Sequence, residues 1–264
     1  LSLTLISSGG FLPINSIEYI FKSDLGKIIL SLLMLFSYFS LFLFFNIFIK
    51  KNRKTYFFSE DLYLLIYLLF TIFIFFVFFN NENSFLNILV SICSSVSNIG
   101  ISFNDTSYNL SFVFLLLVII GGSFFSTSSG LRLIKILNLT KFSINNLLSH
   151  TKPNQVYLNK VLLMENKTDN LDINKSFLSI IIFIISLFSI TLLLTVSNID
   201  FEASFKLGIL TIMNTVNSSM YGLNEFDFGS LSIFPKISLI IFMIIGRVEL
   251  LSIFILFKKF LFKN

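Results

Sequence analysis

Three short segments of small and polar residues interrupt an otherwise apolar sequence, and their backbone could coordinate a cation. They are SSGGFLPIN (segment A, residues 7–15), SNIGISFN (segment B, residues 97–104) and NSSMYGLN (segment C, residues 217–224). A cation that loses its hydration shell needs surrounding oxygen atoms, which backbone carbonyls can supply. Gly10 and Gly100 suit such a backbone because glycine adopts positive φ and carries no side chain. Ordinary loops also favour glycine, asparagine and serine, so one segment alone would not identify a pore.

A further stretch of small residues, GGSFFSTSSG, lies inside an apolar run at residues 121–130 and is called the glycine–serine loop below. It has three glycines and five Ser or Thr residues in ten positions, a composition that lowers helix stability. Two interpretations remain open. The stretch is either an unwound segment within the membrane or a small-residue surface on which another helix packs.

Arg247 and Glu249 lie within the last apolar run. A charge at the centre of a bilayer costs about 2.5 to 3.5 kcal/mol on insertion scales, so such residues usually face a cavity or a partner. Positions two apart differ by about 200° around a helix, so these two side chains do not pair with each other. Arg247 is therefore expected either to face a pore or to form a salt bridge with another span.

The sequence lacks the residue patterns that enzymatic chemistry requires. It has one cysteine, Cys93, and one histidine, His150, with no P-loop string, no HExxH and no paired carboxylates within an apolar run. A single cysteine cannot form a disulfide or a thiolate metal site within the chain. We therefore expect no enzyme, and a membrane-embedded transferase is the weakest alternative.

The elements that must position these residues are membrane helices. The chain has 264 residues, 55% of them hydrophobic and 12% charged, with a mean hydropathy of +0.89, which is too apolar for a soluble domain. Spanning about 30 Å of hydrocarbon takes about 20 helical residues. Five runs are long enough: 28–49, 62–79, 110–131, 176–199 and 237–257. Two shorter runs, 85–97 and 203–216, are expected to be half-helices that do not cross.

Charge placement orients these spans. The cluster at 50–54, the loop 132–175 with seven basic residues and the tail from residue 258 are rich in Lys and Arg, so they are expected in the cytoplasm. The intervening segments are acidic and are expected outside. The net charge of +5 is thus a topology signal, and we expect no nucleic acid to bind.

With this orientation a repeat becomes visible in the sequence. The order span, half-helix, small polar segment and span occurs at 62–131 and again at 176–257. Segment A and the span 28–49 match the second half of a third unit, and the opening LSLTLISSGG predicts a chain that begins within a longer protein. Three such segments on one side of the membrane favour a pore over ordinary loops.

These motifs resemble the C-terminal part of the Trk/Ktr/HKT superfamily of potassium transporters, most closely its bacterial TrkH branch. The resemblance covers nearly the whole chain and rests on SSGGF, SNIGI, IIGGSFFSTSSGLRLIKIL (119–137) and IIFMIIGRVELLSIFILF (240–257). It implies an all-α integral membrane protein with five transmembrane helices. Two complete M1-P-M2 pore-loop repeats and the end of a third would belong to a pseudo-four-fold, ion-channel-like pore. The expected units are 1–54, 55–139, a cytoplasmic linker at 140–175, and 176–264.

The resemblance also implies roles for individual residues. The ion-selectivity filter, which would hold K+ through backbone carbonyls, comprises Ser8, Gly9, Gly10, Ser97, Asn98, Ile99, Gly100, Asn217, Ser218 and Ser219. The gate loop comprises Gly121, Gly122, Ser123, Ser126, Thr127, Ser128, Ser129 and Gly130. Arg247 would be a pore-facing charge below the filter. Alignment of segment C puts Ser219 where the family has the central glycine of its fourth filter, a departure that bears on the preference between potassium and sodium.

The implied function is potassium uptake by a multi-pass protein of the bacterial plasma (inner) membrane, with its C-terminus in the cytoplasm. Two alternatives are a sodium or poorly selective cation transporter of the same fold and a non-conducting, incomplete membrane subunit. No covalent cofactor is expected, and K+ would be the transported ion. The implied partners are the lipid bilayer, a second copy in a homodimer, and a cytosolic ring of nucleotide-binding regulatory subunits. The polar region 140–175 would be their docking surface or a flexible linker.

Overall fold

The computed structural model describes residues 2–10, 23–40, 43, 56–79, 85–103, 110–123, 126–151, 170–217, 219–223 and 226–247. Within these ranges the chain is mostly helical. The α-helices are α1 (Ser2–Ile6), α2 (Asp24–Tyr38), α3 (Tyr56–Phe79), α4 (Phe85–Val96), α5 (Ser111–Ile119), α6 (Leu133–Thr151), α7 (Asn170–Val196), α8 (Phe201–Ile212) and α9 (Ile233–Arg247). A 3-10 helix spans Ser219–Tyr221, and two short strands are β1 (Ile120–Gly121) and β2 (Leu131–Arg132).

Two of the described helices are long and apolar enough to cross a membrane. These stretches are Glu60–Phe78 in α3 and Leu171–Val196 in α7. The side chains of Phe73 and Phe78 are 64% and 73% exposed, a surface that suits lipid better than water. Of the other expected spans, 28–49 and 237–257 extend beyond the described residues. In the described part of 110–131 the α-helix covers Ser111–Ile119.

Short helices form at both runs that were expected to be half-helices, although the second begins two residues before the predicted range 203–216 and ends four residues before its end. Helices α4 and α8 have 12 residues each, which corresponds to a length of about 18 Å and is too short to cross about 30 Å of hydrocarbon. Helix α4 is buried at nine positions, from Asn87 to Val96 with the exception of Leu89, so it lies inside the protein instead of facing lipid. The described residues therefore show the same order, a long helix, a short helix and a further helix, from α3 to α5 and again from α7 to α9.

Helix packing holds these short helices in place. Helix α4 packs mainly against α2, and α8 packs against α7 and α9. The Phe75 and Phe114 rings stack with centroids 5.5 Å apart, which joins α3 to α5. Because lipid tails are as apolar as leucine, close packing and hydrogen bonds hold such helices together more than the removal of apolar surface from water.

The small parallel strand pair is a feature that the all-α expectation did not include. Ile120 pairs with Leu131, and Gly121 pairs with Arg132. The pair forms because the glycine–serine loop leaves α5 and returns beside its own starting point. A Cβ on Gly121 would overlap the Ser129 carbonyl oxygen, so this close return requires glycine.

The region between α6 and α7 is shorter than the linker expected at 140–175. Helix α6 continues to Thr151 and α7 begins at Asn170. The residues between the two helices are therefore 152–169, and they lie outside the described residues. The helices extend into the polar sequence because it contains good helix formers such as Leu147 and Leu148 and no proline before Pro153.

Candidate functional site

The three short helices α1, α4 and α8 end in the same backbone turn. Two residues after each end, Ser8, Asn98 and Asn214 have positive φ values of 51°, 59° and 52°. The N–H of each donates to the carbonyl three residues earlier, and the next N–H donates to the carbonyl five residues earlier. This is the Schellman arrangement that stops a helix and reverses the chain. It sends the three following segments out of their helices in the same way.

Beyond these turns the three segments come into contact. Gly10 and Gly100 have positive φ values of 63° and 82°. A Cβ on Gly10 would overlap the Ile99 carbonyl oxygen, and a Cβ on Gly100 would overlap that of Val216. Both positions therefore need glycine for two reasons, the backbone conformation and the close approach of the neighbouring segment. The structure thus brings segment A against segment B, and segment B against the residues that follow α8. These residues, 213–217, lead into segment C and are called the third segment below.

The residue after α8 that contacts segment B is Val216, which lies just before segment C. Val216 follows the end of α8 by four residues, as Gly10 and Gly100 follow the ends of α1 and α4. The Val216 carbonyl also lies against Gly100 as the Ile99 carbonyl lies against Gly10, which would make Asn217 the counterpart of Gly100.

The position after the helix selects Val216 and the carbonyl contact selects Asn217, whereas Ser219 begins the 3-10 helix. The place of Ser219 in a filter stays a prediction. Helix α8 ends at Ile212, so Ser219 follows the end of its helix by seven residues, whereas Gly10 and Gly100 follow theirs by four. Ser219 Oγ instead lies 3.1 Å from Ser102 Oγ, and Ser218 lies outside the described residues. A methyl carbon of Val216 lies 2.8 Å from where a Cβ on Gly10 would be, so the Val216 side chain points toward segment A.

The glycine–serine loop lies directly against the bases of segments A and B. Ser8 Oγ donates to the Thr127 carbonyl at 2.8 Å, and Asn98 Nδ2 donates to the Ser129 carbonyl at 2.7 Å. In return, Thr127 Oγ1 donates to the Ile6 carbonyl at 2.7 Å. The structure therefore brings together two groups of residues that the sequence placed in separate motifs.

The same loop is also bonded to the end of α2. Ser123 N donates to the Tyr38 carbonyl at 3.1 Å, and Ser128 N donates to the Ser37 carbonyl at 3.2 Å. A Cβ on Gly122 would overlap the Tyr38 carbonyl oxygen, so glycine is needed for this contact as well. Sequence analysis did not identify the end of α2 as part of the site.

Arg247, the last described residue of α9, reaches segment A. Its Nη1 donates to Ser8 Oγ at 3.0 Å, and its Nη2 donates to the Ser7 carbonyl at 2.9 Å. The preceding Gly246 packs against the Ile212 carbonyl, where a Cβ would overlap the oxygen. Glu249 lies outside the described residues. The arrangement places a guanidinium at the base of segment A, held by neutral oxygen acceptors.

A cavity of about 70 Å³ lies beside the glycine–serine loop. Three cationic side chains line it, those of Arg132, Lys135 and Arg247, together with Ser128, Ser129, Gly130 and Met213 among others. Lys135 Nζ donates to Ser179 Oγ at 3.1 Å. Fixed positive charge at this place would reduce the occupancy of nearby cations.

Three further predicted residues make hydrogen bonds to carbonyls nearby in the chain. Ser97 Oγ donates to the Ser94 carbonyl at 3.3 Å, Ser126 Oγ to the Ser123 carbonyl at 2.8 Å, and Asn217 Nδ2 to the Leu223 carbonyl at 3.4 Å. Gly9 and Gly121 lie outside the left-handed region, whereas Gly130 has φ of 109°.

Sequence analysis missed a buried acidic residue beside the site. Asp61, near the start of α3, is only 2% exposed, and its Oδ1 accepts a hydrogen bond from Ser40 N at 3.0 Å. The neighbouring Glu60 is also buried. The signal in the sequence was an acidic pair at the very start of an apolar run, which is easily taken for a solvated helix end.

An ion pair lies on α8, the short helix that leads to Val216. The exposed carboxylate of Glu202 accepts a hydrogen bond from Lys206 Nζ at 2.6 Å. This hydrogen bond, together with the positive charge of Lys206, lowers the pKa of the Glu202 carboxyl. Because the Glu202 carboxylate is open to solvent the pair adds little stability, but it offsets the charge of the mostly buried Lys206 side chain.

Comparison with known proteins identifies the fold. The sequence matches no protein-family model and no curated protein. The structure is similar to the crystal structure of the potassium transporter TrkH from Vibrio parahaemolyticus, with a TM-score of 0.83 and 23% sequence identity. The similarity covers 96% of this chain and 56% of that one, so the chain spans little more than half the length of that transporter. The resemblance predicted from the motifs is confirmed at the level of the fold, and this fold, together with the two apolar helices, supports a membrane protein.

Proposed function

We propose that this chain forms most of a pore through which a transporter takes up K+ across the bacterial inner membrane. The observation that carries the proposal is the contact of three irregular segments, in which Gly10 lies against Ile99 and Gly100 against Val216. Non-helical backbone at membrane depth is tolerated where it is buried in protein or lines a water-filled cavity. The similarity in fold to a potassium transporter supports the same proposal.

Backbone carbonyls would do the chemical work of ion selection. In the proposed pore the carbonyl oxygens of segments A and B and of residues 215–217 replace part of the hydration shell of the ion. No carboxylate is required at this point, because several carbonyl dipoles together balance the cost of dehydration. The two glycines keep side chains out of the contact between segments, so the oxygens can approach one another.

The glycine–serine loop and Arg247 are proposed as the gate. The loop crosses below segments A and B and is bonded to both through Thr127 and Ser129. Arg247 adds a fixed positive charge at the same level. A loop that contains Gly121, Gly122 and Gly130 has the backbone freedom to move aside, and an ordered helix would not.

The third segment favours a second candidate function, a sodium or poorly selective cation transporter of the same fold. At the level of Gly10 and Gly100 this segment carries Val216 and Asn217 in place of glycine. A branched side chain there breaks the equivalence of the segments around the ion. A less regular ring of carbonyls would discriminate less well between potassium and sodium.

The partners and topology follow as part of the proposal. The pore would be completed by a further pore-loop unit, two copies of the protein would associate, and a cytosolic ring of nucleotide-binding subunits would dock near the connection at 152–169. The C-terminus would lie in the cytoplasm, as the basic tail predicts.

Ion flux in vesicles tests the proposal. The complete gene product that contains this chain would be reconstituted into liposomes loaded with sodium, and uptake of K+ would be compared with uptake into protein-free liposomes. We expect uptake that depends on the protein and on an inward potassium gradient. Uptake of sodium and potassium at equal rates would favour the second candidate, and no uptake of either ion would refute both.

A further inference from the structure

Two residues of the proposed filter are hydrogen-bonded directly to the proposed gate. Asn98 and Ser8 occupy equivalent left-handed positions after α4 and α1. Their side chains donate to the carbonyls of Ser129 and Thr127, at 2.7 and 2.8 Å. The bond from Asn98 is the more enclosed, since Asn98 and Ser129 are 1% and 9% exposed. A buried amide–carbonyl hydrogen bond of this length is well formed and is costly to break without a replacement.

We infer that Asn98 is a positioning residue that holds the glycine–serine loop in its closed place under the filter. The inference rests on the proposed function, because it assigns a role in gating. The loop cannot leave its place while this bond and the backbone of segment B both remain intact. Ser128 Oγ also donates to the Ser129 carbonyl, at 3.2 Å, but this donor belongs to the loop itself and would move with it.

The backbone of segment B does not depend on this side chain. Asn98 N donates to the Ser95 carbonyl at 3.1 Å, and Ile99 N donates to the Ser94 carbonyl at 3.0 Å. Further along, Ile101 N donates to Ser94 Oγ at 2.6 Å. Removal of the Asn98 amide should therefore weaken the attachment of the loop, which keeps its bonds to Ser8 and to the end of α2, and leave the position of the carbonyls in segment B unchanged.

The third segment supplies a matched control. Asn214 has the same residue type and nearly the same φ as Asn98, 52° against 59°. Its Nδ2 also donates to a backbone carbonyl, but at 2.9 Å to Met243 in α9 and not to the glycine–serine loop. A change at Asn214 thus removes an equivalent hydrogen bond at an equivalent turn without touching the loop.

The test compares Asn98→Gly with Asn214→Gly in the complete protein. Glycine tolerates positive φ, so both variants keep the turn and lose only the side chain. For Asn98→Gly we expect K+ flux through liposomes to rise roughly tenfold, as loss of one buried hydrogen bond from the closed state would allow. The ratio of potassium to sodium flux should stay unchanged, and Asn214→Gly should leave the K+ flux at the wild-type level.

A second readout does not depend on transport. Hydrogen exchange at the loop amides of Ser123, Ser126 and Ser128 should become roughly tenfold faster in Asn98→Gly and stay unchanged in Asn214→Gly. Asn98→Asp, which keeps the shape of the side chain and replaces the donor by an acceptor, should give at least the same effect and guards against a folding defect peculiar to glycine.

The outcomes separate the inference from the proposed function. Loop exchange that is the same in wild type, Asn98→Gly and Asn98→Asp would overturn the inference, whatever the flux. Equal acceleration in Asn98→Gly and Asn214→Gly would also overturn it, because the effect would then be a general loss of packing. If loop exchange is faster only in the Asn98 variants, but neither the wild type nor any variant transports K+ or Na+, the hydrogen-bonded link is supported and the proposed function is refuted.

Discussion

Replacement of Gly100 by alanine is the sharpest perturbation of the contact between segments. A Cβ at this position would overlap the Val216 carbonyl oxygen and lie 2.9 Å from both the carbonyl carbon and the nitrogen of Val216. Unstrained carbon contacts are about 3.5 to 4.0 Å, so the carbonyl carbon and the nitrogen of Val216 must move by roughly 0.6 to 1.1 Å, and the overlapping oxygen must move further. All three atoms of Val216 belong to the backbone, so they cannot rotate away as the end of a side chain could.

The substitution also strains Gly100 itself. Its φ of 82° lies in the left-handed region, where a residue with a Cβ costs about 1 to 2 kcal/mol. This cost alone corresponds to a change of about 5- to 30-fold in an equilibrium between the native arrangement and one in which the contact is lost. We therefore expect Gly100→Ala to reduce the ratio of potassium to sodium flux at least fivefold while the protein still inserts and purifies.

Gly9 provides the control for this experiment. Gly9 has no positive φ, and a Cβ there would meet the Ser7 hydroxyl at 3.3 Å, the end of a side chain that can rotate. Gly9→Ala should thus keep both the flux and its selectivity. Paired measurements of Rb+ and Na+ flux in liposomes would show the difference. Wild-type selectivity in Gly100→Ala, or equal loss in both variants, would refute the role assigned to the contact.

The other predictions concern the third segment and Arg247. Val216→Gly should increase K+ flux, since it removes the methyl group that points toward Gly10. Val216→Thr keeps the branched shape and should leave the flux unchanged. A rise in both variants would show that the shape of the side chain does not limit the flux. Ser219→Gly should leave the ratio of potassium to sodium flux unchanged, because Ser219 lies in a 3-10 helix beyond the contact between Val216 and Gly100. A changed ratio would show that Ser219, and not Val216 or Asn217, corresponds to Gly100. Arg247→Gln should raise cation flux about tenfold, because removal of one unit charge at intermediate dielectric would lower the energy of a nearby cation by about 1.4 kcal/mol. Arg247→Lys keeps the charge and should leave the flux unchanged. Equal flux in the two variants would argue against an electrostatic role.

Much of the fold could be predicted from the sequence because membrane helices have a strong compositional signal. The runs 62–79 and 176–199 appear as α3 and α7, and the two runs too short to span appear as α4 and α8. Gly10 and Gly100 stood out because each is a glycine in a short polar segment after an apolar run. These features depend on local composition, which a single sequence displays directly.

The register of the third segment could not be read in the same way. From Asn214 to Gly222 the sequence offers several small and polar residues and no glycine at the decisive position. The position is set by where α8 ends, and helix ends are the least certain part of a prediction from sequence. A usable signal was present in Asn98 and Asn214, because aligning these two left-handed asparagines places Val216 with Gly100.

The contacts of the glycine–serine loop are also beyond single-sequence reasoning. The bond from Ser8 to Thr127 joins residues 119 positions apart, and that from Arg247 to Ser8 joins residues 239 positions apart. No local pattern specifies which distant carbonyl a serine or an arginine will meet. The sequence could identify the loop as unusual for a membrane helix, but its position under the segments depends on the packing of the whole fold.

The most direct test of the central claim is to locate a heavy potassium analogue in a crystal of the complete protein. Crystals grown with Tl+ in place of K+ would be measured by anomalous diffraction. We expect an anomalous peak between segments A and B and the third segment, in contact with backbone carbonyl oxygens at the level of Ile99 and Val216. A well-ordered structure with Tl+ bound elsewhere and none among these carbonyls would contradict it.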